Sequence, residues 1–152
     1  MLLAELIKEK EYLENSIYNL RDHISYLTVV QDDEDYAANQ SIIEKRLVEL
    51  RDLYNKLQQF STQIDRTMAS TVITINKTSL SLADAVAIKD TTEGKLRSFE
   101  YILGAATGRD RKGEGILCID VDEVFKETEK LRLDIKVLES QIEFATWQTE
   151  VK

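Results

Sequence analysis

The chain contains no proline, 5 glycines, a single cysteine, a single histidine and a single tryptophan among 152 residues. Without proline and with so little glycine, the turn punctuation that sandwiches and barrels require is missing, and long helices become the leading expectation. One cysteine, Cys118, excludes an internal disulfide. One histidine, His23, leaves too few nitrogen ligands for a ferritin-like di-iron site, which needs two Glu-x-x-His pairs, and Leu20 stands three residues before it. Runs long enough to span a bilayer are also missing, since charge at Glu5, Lys8 and Glu9 interrupts the first apolar stretch before a signal core develops. These features together point to a cytoplasmic protein.

What is present is charge and apolar rhythm. Lys and Arg number 20 against 28 Asp and Glu, for a net charge of −8, distributed as −6 over residues 1–40, +3 over 41–112 and −5 over 113–152. Such a balance, without a basic stripe, argues against nucleic acid and against anionic membranes as partners. Hydrophobic residues make up 43% of the chain, so disorder is excluded.

Four segments repeat apolar residues alternately three and four apart, the spacing of a helical packing seam. The first runs through Leu3, Leu6, Lys10, Leu13, Ile17, Leu20, Ile24 and Leu27, and the second through Ile43, Leu47, Leu50, Tyr54, Leu57, Ser61, Ile64 and Met68. The third, softened by polar positions and Gly94, runs through Leu82, Ala85, Lys89, Thr92, Leu96, Phe99, Leu103 and Ala106, and is expected to stop at Gly108 in a left-handed conformation. The fourth runs through Val121, Val124, Thr128, Leu131, Ile135, Leu138, Ile142 and Ala145. Ser81 followed by Asp84, and Asp120 followed by Glu123, are capping patterns that start the last two helices.

Between the seams, the acidic run 31–36 reads as a solvated loop, because it lacks the glycine a calcium loop needs. Residues 71–75 (TVITI) and 116–119 (ILCI) read as short strands, with residues 76–79 turning the chain after the first. The glycine-rich segment 108–115 fails the phosphate-loop pattern, since Glu114 and Gly115 follow Gly113 where Lys and Ser or Thr are required; a surface loop is preferred over an anion site of Arg109, Arg111 and Lys112. The expected architecture is a single all-α domain over 1–152: an antiparallel up-down-up-down four-helix bundle, or paired long helical hairpins, with two very short strands at helix connections.

No catalytic constellation, metal set or cofactor motif emerges. His23 is expected at a helix surface, and the paired acids Asp120 with Asp122 and Glu127 with Glu129 read as helix-start charges. In an up-down-up-down chain the end of helix two, the start of helix three and the end of helix four share one pole, which gathers Arg66, Thr67, Asp84, Lys89, Asp90 and Trp147. Charged groups beside an aromatic make this pole the candidate ligand-binding site. A strand at 71–75 and another at 116–119, separated by a straight helix, would lie at opposite poles and seek partners in a second copy. The expectation is therefore a homodimer or larger even oligomer acting as a non-enzymatic interaction or scaffold protein. The alternative is a small-ligand-binding protein or an enzyme using the pole.

Several segments resemble a family of small bacterial helical proteins named septicolysin or septicolysin-like. They are Leu3-Ala4-Glu5, the run Ile64-Asp65-Arg66-Thr67 against an I-N-R-T-N pattern, residues 82–90 (LADAVAIKD) against L-T-D-A-L-A-x-R-D, and Thr146-Trp147 against N-W. Asp65, Met68 and Thr146 stand where that pattern has Asn. The resemblance implies a helical hairpin fold and no established activity. A lytic function would call for an export signal and an apolar or long-stranded insertion segment, and the sequence offers neither.

Overall fold

The computed structural model describes residues 1–30, 33–108 and 116–152. The protein is all-α: α1 (Leu3–Leu27), α2 (Asp33–Ser70), α3 (Leu82–Thr107) and α4 (Val121–Gln148), with a two-stranded antiparallel sheet, β1 (Val72–Ile75) and β2 (Thr78–Ser81), between α2 and α3. The chain forms two compact units, residues 1–67 with 147–152, and residues 68–146.

In the first unit α1 and α2 are antiparallel neighbours. The Asn39 side-chain amide donates to the Leu27 carbonyl at 3.3 Å near one end, and Leu53, Lys56 and Phe60 share a groove with Lys8, Tyr12 and Leu13 toward the other. The α1 seam is the buried one: Leu3, Leu6, Leu13, Ile17 and Ile24 are enclosed. In α2 only Ile64 of the expected apolar positions is buried, and Tyr54 is exposed. The helix starts at Asp33, so residues 33–36 are helical where the sequence reading had a loop. Acids are favourable at a helix N-terminus, where the backbone dipole ends positive, and an acidic run without apolar rhythm can therefore open a helix. Gln31 and Asp32 lie outside the described residues.

Two ends of the chain close this unit. Leu3 N–H donates to Thr149 O at 2.8 Å, Val151 N–H donates to Met1 O at 3.0 Å, and Leu2 bridges Glu150 in antiparallel fashion. Leu2 offers no side-chain cap to α1; instead its own N–H donates to the Glu5 carboxylate at 2.8 Å.

The second unit is built on antiparallel α3 and α4. Their seams fall as expected, with Leu82 and Ala85 buried on α3 and Thr128, Leu131, Ile135, Leu138 and Ala145 on α4. Ion pairs Arg132–Glu100 at 2.7 Å and Lys95–Glu127 at 3.4 Å flank the contact. The Asp84 amide donates to Ser81 Oγ at 3.0 Å and the Glu123 amide to Asp120 Oδ1 at 3.1 Å, so both expected caps form.

Two expectations about strands are corrected here. Residues 72–75 are a strand, but its partner is residues 78–81 of the same chain, with Val72 opposite Ser81 and Ile75 opposite Thr78. Asn76 and Lys77 form the two-residue connection at φ 50° and 66°, as a type I′ turn demands of both central residues. Residues 116–119 contain no strand; they run from irregular backbone into a bend. With β1 paired internally, the argument for strand exchange between copies loses its basis. A third correction concerns Gly108, whose φ of −71° is not left-handed. A side chain there would strike the Gly104 carbonyl oxygen, so close approach to the helix end, rather than backbone handedness, accounts for the glycine. Residues 109–115, among them Arg109, Arg111 and Lys112 of the disfavoured anion site, lie outside the described residues.

Candidate functional site

The six pole residues divide between the units: Arg66, Thr67 and Trp147 belong to the first, and Asp84, Lys89 and Asp90 to the second. Thr67 is fully buried, and its Oγ1 accepts from the Lys152 amide at 3.1 Å, which makes it an anchor for the last residues of the chain. Trp147 is 38% exposed, and Lys8 Nζ stands 4.6 Å from its ring centroid, within cation–π range. Arg66 faces solvent beside Thr62 and Gln63 on α2. On α3, Asp84 is exposed in the first turn, where its charge complements the helix dipole, and Asp90 is exposed as well. Lys89 pairs along its own helix with Glu93 at 3.6 Å. The structure thus brings together Thr67 with the chain end and Trp147 with Lys8, and gives Asp84 and Lys89 roles within α3.

The nucleophiles and bases are equally plain. His23 is exposed on α1 and Cys118 is exposed before α4. The three buried threonines are hydrogen-bonded: Thr128 Oγ1 donates to Phe125 O at 2.7 Å and Thr146 Oγ1 to Glu143 O at 2.8 Å within their own helix, while Thr67 receives the Lys152 amide from the far end of the chain. Arg132 is held above the usual arginine range, first by its hydrogen bond to Glu100 and also by Glu129; it lies at the surface and ties α3 to α4. Among the described residues no group of three or more His, Cys, Asp and Glu could hold a metal ion, and no helix is long and apolar enough to cross a membrane.

A concave feature that sequence reasoning missed lies in the second unit. The β-hairpin packs on α3 and α4 through a small core of Ile75, Ala85 and Leu138, with Ile73, Leu80 and Ile142 against it. Beside that core opens a cleft of about 410 Å³ lined by Ile75, Asn76, Thr78, Leu80, Ile88, Thr92, Asp134, Val137 and Leu138. Its floor is apolar, its rim carries an amide and two hydroxyls, and Asp134 supplies its one charge. The volume falls within the roughly 300–1,000 Å³ common for small-molecule sites, and four of the nine lining residues are polar. The cleft draws its walls from four elements, so no local motif announces it; residues 76–79, read from the sequence as a turn, supply two of its polar lining groups.

The protein is similar throughout its length to a functionally unknown conserved protein from Corynebacterium diphtheriae known from a crystal structure, with a TM-score of 0.83, 21% identity, and coverage of 100% of this chain and 99% of that one. That likeness shows the fold. No curated protein matches the sequence. The septicolysin name, drawn from short residue runs, is without support in these comparisons. Residues 10–151 match the family of unknown function DUF6847, and over that span, which is nearly all of its length, the chain belongs to that family.

Proposed function

We propose that this chain is a non-enzymatic interaction protein that assembles with a second copy of itself. One observation carries the reading: α4 has two apolar faces. Its seam is buried, yet Leu133, Val137 and Phe144 are 63%, 44% and 67% exposed. At about 100° per residue these three fall within roughly 40° of one another, on the side of the helix away from Leu131, Ile135 and Leu138. A helix that needs one apolar stripe to fold and carries two leaves the second for an interaction.

The stripe is self-complementary. A two-fold axis near residues 138 and 139 sets Leu133 of one copy beside Phe144 of the other, twice, as an isologous contact requires. The same operation brings Lys136 toward Glu143 of the other copy, because both exposed residues lie on one flank of the stripe. This replaces strand exchange as the basis for an even oligomer. Light scattering on the purified chain tests it: a dimer in the wild type, and a monomer of unchanged helicity for Leu133→Glu with Phe144→Glu.

The second reading, a small-ligand-binding protein, has its own observation in the cleft beside the β-hairpin. Arg66, Thr67, Asp84, Lys89, Asp90 and Trp147 remain its sequence-derived candidates, but the cleft offers walls and a floor, and it is the better-supported place.

A further inference from the structure

We infer that the cleft of the second unit is a site for a small organic cation, an ammonium or amidinium group on a short hydrocarbon body, with Asp134 as its counter-charge. The inference rests on the ligand-binding reading and adds the class of ligand.

Three features set that class. The floor, Ile75, Leu80 and Leu138, together with the walls Ile88 and Val137, accepts hydrocarbon and gives a charged or peptide-like body little to bond. The one ionised group lining the space is Asp134, with no lysine or arginine in the lining, and among the described residues Asp134 makes no ion pair. The third feature is the direction of a hydroxyl. Thr92 Oγ1 spends its proton on the Ile88 carbonyl at 2.7 Å, so what it can present to the cleft is lone pairs. A carboxylate and a hydroxyl limited to accepting ask for a donor-rich guest, and the guest that supplies both donors and neutralising charge is a cation.

No cation belongs to the lining; Lys130, one turn before Asp134 on α4, is exposed like Asp134 and lies outside it. Lys89, on the same helix as Ile88 and Thr92, is engaged with Glu93 at 3.6 Å. Arg132, two residues before Asp134, is engaged with Glu100 at 2.7 Å and with Glu129. Lys77, at the hairpin tip, is exposed and is not part of the lining. The polar groups on the hairpin side, Asn76 and Thr78, complete a rim that can receive further N–H donors.

The test is a titration of the full chain, isotopically labelled for amide NMR, with three probes of one shape: hexylammonium, hexanol and hexanoate. Hexylammonium is expected to shift the amides of Ile75, Ile88, Asp134 and Leu138 saturably and more tightly than hexanol, while hexanoate leaves them in place. Asp134→Asn should weaken hexylammonium by about tenfold, the scale of one charge-assisted contact, and leave hexanol unchanged. Asp134→Glu, which keeps the charge, should retain the preference, and Ile88→Trp, which fills the space, should abolish both responses. Hexanol binding as tightly as hexylammonium, or indifference of hexylammonium to Asp134→Asn, overturns the cation assignment while leaving a ligand-binding cleft. Failure of all three probes to move any cleft amide overturns the assignment and the ligand-binding reading together.

Discussion

The two helix pairs solve the same problem by different means. Each is an antiparallel pair with a buried seam, and each needs something to cover an end. In the first unit the cover is chain pairing between residues 1–3 and 149–151, with Lys152 hydrogen-bonded to Thr67. In the second it is a β-hairpin inserted between α2 and α3, resting on Ala85 and Leu138. Residues of the hairpin, Ile75, Asn76, Thr78 and Leu80, line the cleft together with residues of α3 and α4. Both units carry a concave surface, the groove between α1 and α2 in the first and the cleft beside the hairpin in the second, and only the second is lined by its closing element.

The comparison can be broken most sharply at the second closure. Leu138 touches both the seam and the hairpin and is 7% exposed. Leu138→Ala should cost about 2–5 kcal/mol, as truncations of buried leucines do, and chemical denaturation monitored by circular dichroism measures it. At the first closure, Thr67→Val keeps the volume but removes the acceptor of the Lys152 amide. A loss of about 1 kcal/mol is expected, with faster amide exchange confined to the chain end, because one hydrogen bond is worth roughly that much. If exchange instead rose across α3 and α4, the two closures would not be separate devices.

Lys77 sharpens the account of the hairpin. A lysine at φ 66° is held where glycine rests without steric penalty. Lys77→Gly should gain up to about 1 kcal/mol in thermal unfolding, and a loss would contradict a type I′ connection. The smallest effect belongs to His23. Exposed on α1, it should tolerate alanine within about 0.5 kcal/mol, and a large loss of stability would give it a role the structure does not.

The helices were legible because their signal is repeated: each seam position is a vote for the same face, and the eight positions of α4, from Val121 to Ala145, all fall on its covered side. The hairpin was half legible. Val72 to Ile75 announced itself by β-branching, while Thr78 to Ser81 is polar enough to pass for a turn followed by a cap, and Asn-Lys lacks the glycine that usually marks a two-residue connection. Residues 116–119 share the composition of β1 but have no adjacent partner segment and no tight turn, and without a partner β-propensity produces no strand. The pole residues illustrate the limit of ordering arguments. Chain order placed Thr67 and Trp147 near helix ends, where they are, but it could not foresee that the Lys152 amide and Lys8 would occupy them. The cleft was illegible because Asp134, Thr92 and Asn76 come from three elements whose meeting depends on the hairpin's register.

The central claim, that the exposed α4 stripe is a self-association surface, is tested most directly by sedimentation velocity over a micromolar concentration series, comparing the wild type with the Leu133→Glu, Phe144→Glu double variant. The account predicts a wild-type dimer that the double variant converts to a folded monomer; a wild type that sediments as a monomer throughout, or a dimer indifferent to both substitutions, would contradict it.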